Sequence, residues 1–203
     1  MNDSIYAPPK ADLSVSSYSG SDGDNAFYVV SPLKFSVLFF VTLGGYQLFW
    51  MYKNWSSYKD RCRFADSSDR NIWPIARALF SIFFIHSLFY KVDAYAEEKA
   101  RPLSWNVDTN ATIMVLLLIA TGIFGQLPNH QIGTPYTTIA WMLLLVCLHF
   151  SLRKAQGYIN ASCGDPEGLS NSEFTAANWV WIVLGTIICL LAIVGMFLPQ
   201  PGA

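Results

Sequence analysis

Three ionisable side chains interrupt otherwise apolar stretches of this chain: Arg77, His86 and His149. An Arg at the centre of a membrane helix costs about 2.5–3.5 kcal/mol on insertion scales, whereas one near a helix end can reach the interface with its charged head. Arg77 falls one turn inside an apolar run that begins near Ile72. It reads first as an interfacial or phosphate-binding Arg, and second as the counter-charge for a substrate or a proton path. Two histidines on facing helices can ligate a b-type haem or relay protons. His86 and His149 have no partner motif, and each reads first as a packed or interfacial ring. His149 precedes Arg153 by one turn and is expected at headgroup level.

Other familiar chemistries are missing. Cys62, Cys147, Cys163 and Cys189 form no CxxC pair and match no zinc spacing. Cys147 and Cys189 lie in apolar runs, where thiols pack as small hydrophobes. No GxSxG, HExxH or P-loop occurs. The stretch from Asp165 to Glu173 lacks the Gly and the alternating ligands of a calcium loop. The sequence thus assigns no catalytic, cofactor-binding or metal residue, and the expectation is a non-enzymatic protein without a cofactor.

The elements that carry the three residues are apolar helices. The chain is 53% hydrophobic, 15% aromatic and 13% charged, against about 45–50% apolar and about 25% charged in soluble domains. So little charge cannot solvate a globular surface, and the many Trp and Tyr suit a membrane interface. The net charge of −1 gives no reason for a nucleic-acid partner.

Residues 1–26 read as a disordered tail, rich in Ser, Gly and Asp, with Tyr6-Ala7-Pro8-Pro9-Lys10 favouring a polyproline turn. Residues 27–203 read as an all-α membrane domain, with apolar helices at about 35–52, 72–90, 111–127, 136–152 and 173–198. Trp50, Tyr52 and Trp55 form an aromatic belt after the first, followed by a basic loop. The second has only a short uncharged stretch between Arg77 and Lys91, a length more often re-entrant or interfacial than spanning, and the sequence leaves open whether it crosses. The connector at 129–135 holds no Lys or Arg and makes the third and fourth helices an antiparallel hairpin. Ser170-Asn171-Ser172-Glu173 reads as a capping box for the fifth. Gly44-Gly45, Gly122 with Gly125, and Gly185 with Cys189 mark close helix packing, while Gln47 and Gln126 suit interhelical hydrogen bonds.

Charge then orients the bundle. With five crossing helices the 13 Lys and Arg divide almost evenly between the two sides. If the second helix enters and returns, residues 53 to 101 join Arg153 and Lys154, leaving only Lys10 and Lys34 opposite. That bias is what cytoplasmic loops show. It favours four crossing helices, both termini outside, and a cytoplasmic face made of 53–110 and 153–171. A version in which neither of the first two helices crosses would put all 13 on one side. The long, uncharged, belted first helix speaks against it.

Two stretches carry a resemblance. One is Phe27-Tyr28-Val29-Val30-Ser31-Pro32-Leu33-Lys34-Phe35, leading to Thr42-Leu43-Gly44-Gly45-Tyr46-Gln47-Leu48-Phe49-Trp50-Met51-Tyr52-Lys53-Asn54-Trp55. The other runs from Ile159-Asn160 through Gly164-Asp165 to Asn178-Trp179. With the Tyr6-Ala7-Pro8-Pro9 tail they resemble small, uncharacterised multi-pass inner-membrane proteins of Gram-negative bacteria. The resemblance implies a bacterial inner membrane and brings no activity. The leading expectation is a protein acting through membrane lipid or a membrane-protein partner, because basic loops attract anionic headgroups. A small transporter or channel subunit comes second, resting on Arg77, His86 and the glycine pairs. A haem-bearing electron carrier comes third.

Overall fold

The computed structural model describes residues 25–64, 68–126 and 136–197, and all regular structure among these is helical. Seven α-helices follow one another: α1 Pro32–Val41, α2 Tyr46–Phe64, α3 Pro74–Leu79, α4 Ser81–Glu98, α5 Val107–Gln126, α6 Tyr136–Ser162 and α7 Ala176–Phe197. The expected tail lies outside the described residues except for its last two, of which Ala26 is already buried.

α1 starts where the Ser31 side chain accepts from Lys34 N at 3.4 Å, with Pro32 in the first turn. It ends after 10 residues. Leu43 and Gly44 take φ of 49° and 87°, and Gly44 N donates to Phe39 O at 2.8 Å. A left-handed pair of this kind terminates a helix. A Cβ on Gly44 would also stand 2.8 Å from the Leu145 side chain, so both backbone and space select glycine. The chain then reverses. The Phe35 ring lies 5.5 Å from Tyr46 and 6.5 Å from Trp50, and Tyr28 N donates to Asn54 Oδ1 at 3.2 Å. The single helix expected over 35–52 is therefore two helices folded back on each other, because the Gly44-Gly45 elbow closes the first.

The next segment also returns to its starting end. α3 packs along α2, and the chain turns at Phe80. Gln47 Nε2 meets Ser81 Oγ near that turn at 3.3 Å. Further down α4, Lys91 pairs with Asp69 and Arg61 with Glu98, both at 2.5 Å. Residues 53–64, 68–71 and 91–101 thus share one end of the molecule, as the charge pattern anticipates. The helix expected over 72–90 is broken at Phe80 and continues to Glu98.

α5 leaves this charged end, where Trp105 Nε1 donates to Asp93 Oδ1 at 2.8 Å and its ring stacks 4.5 Å from Tyr158. α6 runs back beside it, with Trp141 against Gly125 near the far end. The expected turn at 129–135 falls outside the described residues. α6 continues past Arg153 and Lys154 to Ser162, because Leu152, Ala155, Gln156 and Ile159 keep a buried face at helical spacing.

α7 begins later than the expected capping box. Thr175 and Asn178 cap one another instead, with Thr175 N donating to Asn178 Oδ1 at 3.0 Å and Asn178 N to Thr175 Oγ1 at 3.4 Å. Ser170 and Asn171 belong to a 3-10 turn over Leu169–Asn171, whose N–H groups at Leu169 and Ser170 are held by the Asp165 carboxylate. Burial would raise the Asp165 pKa, but those donors outweigh it and hold it below the usual value. α7 rests on α1 alone among the described helices, and a Cβ on Gly185 would run into the Val41 carbonyl.

Charge gathers at one end. Lys34, expected on the opposite side from the basic loops, is held there by Asn171 Oδ1 and the Glu173 carbonyl, each at 2.6 Å. α5, α7 and α6 before Arg153 contain no Lys or Arg. Lys34 thus lies at the same end as the basic residues of α2 and α4, not opposite them as expected; Lys10 lies outside the described residues. The core at the charged end is aromatic, with Trp50, Trp55, Phe27, Phe35, Phe39 and Phe89 buried. The outer faces of α5, α6 and α7 expose large apolar side chains such as Leu116, Leu143 and Leu191. Among the described residues two helices, α5 and α6, are long and apolar enough to cross a membrane.

Candidate functional site

The most elaborate polar construction lies where the chain enters the bundle. Residues 26–31 form neither helix nor strand and pass between α2 and α6. Four side-chain amides hold their backbone in place of a neighbouring strand. Asn54 Oδ1 accepts from Tyr28 N, and Gln156 Nε2 donates to Tyr28 O at 3.0 Å. Asn160 takes both groups of Val30, accepting from N at 3.3 Å and donating to O at 3.0 Å. Asn171 Nδ2 donates to Val29 O at 2.8 Å. Gln156 is itself fixed by Trp50 Nε1 and by Asn160 Oδ1. Buried backbone groups must be paired, and these amides pair them. The sequence offers one hint of this clamp, Gln156 and Asn160 four residues apart on one helix face; their partners stand more than 100 residues away in the chain.

Arg77 is half-buried against two aromatic rings. Its guanidinium carbon lies 4.1 Å from the Trp55 ring centre and 5.1 Å from that of Phe84. Planar stacking of this kind is a stabilising use of Arg. Beside it, Lys91 and the Tyr58 hydroxyl both reach the Asp69 carboxylate, at 2.5 and 3.0 Å. The Lys91 hydrogen bond is the main reason that the Asp69 pKa is held below its usual value.

The two histidines face different neighbours. His86 Nε2 contacts Thr112 Oγ1 on α5 at 3.2 Å. His149 is 3% exposed, among Phe35, Phe39 and Phe40. Ser36 Oγ donates to Pro32 O, so it accepts from His149 Nε2 at 2.9 Å, which assigns the tautomer. The structure does not bring the two rings together as an axial pair, and each lies apart from Arg77. Among the described residues no three His, Cys, Asp or Glu side chains converge as a metal site. All four cysteines are free thiols. Gln47 makes its interhelical bond, to Ser81, while Gln126 is exposed.

The remaining feature is a groove between the α1–α2 elbow and the first half of α7, with a cavity volume of about 480 Å³. Leu38, Val41 and Phe49 form one wall, and Trp181, Leu184 and Ile188 the other. No lining residue is charged, and the volume falls in the range of small-molecule sites. Hydrocarbon is the chemistry that such walls accept. Compared with protein-family models, curated proteins and solved structures, the chain matches none.

Proposed function

We propose that this chain is a multi-pass protein of the bacterial inner membrane that works, without catalysis, on lipid and protein partners at the cytoplasmic leaflet. In this reading α5, α6 and α7 cross the bilayer. The pairs α1–α2 and α3–α4 enter from the cytoplasmic side and return to it. The observation that carries the reading is the gathering of Lys and Arg at one end, fixed by the Lys91–Asp69 and Arg61–Glu98 pairs. Cytoplasmic loops carry that excess. Helix lengths agree: 20 residues of α5 extend about 30 Å, a full hydrocarbon core, while the 10 residues of α1 extend about 15 Å. The N-terminal segment then belongs to the cytoplasm and the end of α7 to the other side.

Buried Trp50, Trp55 and Phe89 fill the space between the returning pairs, which favours this reading over that of a transporter. Single cysteines in a background lacking the native four test the topology. Lys59→Cys and Glu98→Cys should react with an impermeant maleimide only after lysis, and Gln131→Cys should react in intact cells. Labelling of Lys59→Cys or Glu98→Cys in intact cells would refute the arrangement.

A further inference from the structure

We infer that the groove between the elbow and α7 holds one acyl chain of an anionic glycerophospholipid, with its phosphate at Lys53. The inference rests on the membrane reading above and names the lipid site within it.

The walls select the chain. Leu38, Val41 and Phe49 face Trp181, Leu184 and Ile188 across an uncharged cleft, so a hydrocarbon occupant buries no charge there. The mouth selects the headgroup. Phe49 is the groove residue nearest the charged end on α2, and Lys53 follows it by one helical turn on the same face. Tyr28 connects the two: its ring meets Phe49 edge-on at 6.0 Å, and Lys53 Nζ lies 5.6 Å from its centre. Among the described residues no carboxylate pairs with Lys53, in contrast to Arg61 and Lys91. The nearby Lys34 ammonium is already engaged, buried against Asn171 Oδ1 and the Glu173 backbone carbonyl. An unpaired ammonium below an apolar cleft is complementary to a phosphate below an acyl chain. A basic residue near a membrane surface contributes about 1 kcal/mol of attraction to anionic lipid, about fivefold in affinity.

The test is lipid binding to the full chain in detergent, read by native mass spectrometry. Phosphatidylglycerol and phosphatidylcholine of matched chains are titrated separately. The wild type should bind one phosphatidylglycerol about fivefold more tightly than phosphatidylcholine. Lys53→Gln should lose that preference and keep binding both. Ala177→Trp, which fills the mouth of the groove, should lose both lipids. Equal affinity of the wild type for the two lipids would overturn the inference, as would an unchanged preference in Lys53→Gln. Should Ala177→Trp fail to fold, the Lys53→Gln comparison alone decides. Cysteine labelling reports the topology separately, so loss of the lipid preference with intact topology sinks only the site.

Discussion

Replacing Asn160 by Leu separates the clamp from the packing around it. Leu has nearly the same shape and can fill the fully buried position. It cannot supply the two hydrogen bonds to Val30 or accept the one from Gln156 Nε2, which is 2.6 Å long. Val30 N–H and C=O are then left without partners in a buried setting. At about 1–3 kcal/mol for each unpaired group, docking of the 26–31 segment weakens by about 2–6 kcal/mol. Gln156 still reaches Tyr28 O, and Asn54 still holds Tyr28 N, so the helices themselves should remain assembled. The assay is limited chymotrypsin digestion in detergent. Phe27 and Tyr28 are cleavable only when the segment leaves its channel. When opening and closing are fast, cleavage follows the population of the open form. The lower bound of 2 kcal/mol predicts cleavage about 30-fold faster than in the wild type, with unchanged helical circular dichroism. Equal cleavage rates in the two proteins would refute the claim that side-chain amides hold this segment.

Two further outcomes follow from the helix contacts and the ion pairs. Gly185→Ala drives a Cβ into the Val41 carbonyl and should lower unfolding stability by about 1–3 kcal/mol, while Gly122→Ala, whose Cβ meets nothing within 4 Å, should be neutral or stabilising in the same thermal melts. Asp69 has a pKa lowered chiefly by Lys91, so its contribution is present above the ordinary carboxylate range near ~3.9 and is lost as pH falls through the lowered value. Melting temperature should therefore drop more steeply between pH 5 and 3 in the wild type than in Asp69→Asn, and parallel curves would contradict the pairing.

How much of this was readable depended on whether the signal was local. α5 and α6 were legible because long apolar runs have few alternatives. The return of the second segment was legible because Arg77 and Lys91 leave too little apolar chain between them to cross. The elbow was written in Thr42-Leu43-Gly44-Gly45, a helix-ending signal, but within an uncharged run those glycines read equally well as a packing face. Phe80 offered nothing, since neither Gly nor Pro marks the break between α3 and α4. The end of α6 was misjudged because Arg153 and Lys154 end an apolar stretch without ending a helix. The clamp was out of reach: Asn54, Gln156 and Asn160 acquire meaning only when Tyr28 and Val30 are seen between them.

The two returning pairs stop part of the way along the bundle, and α5, α6 and α7 continue without them. In cross-section the molecule is broad at its charged end and slender at the other. A body of that profile in a bilayer is a wedge, displacing more area from one leaflet than from its opposite. In the membrane arrangement proposed above, the leaflet around the broad end would spread to accommodate it, and the opposite leaflet would close around three helices. That proposal would couple membrane shape to this fold: a sheet bent so that the charged side is convex would relieve the mismatch, and one bent the other way would compress the elbow and α4 against their neighbours.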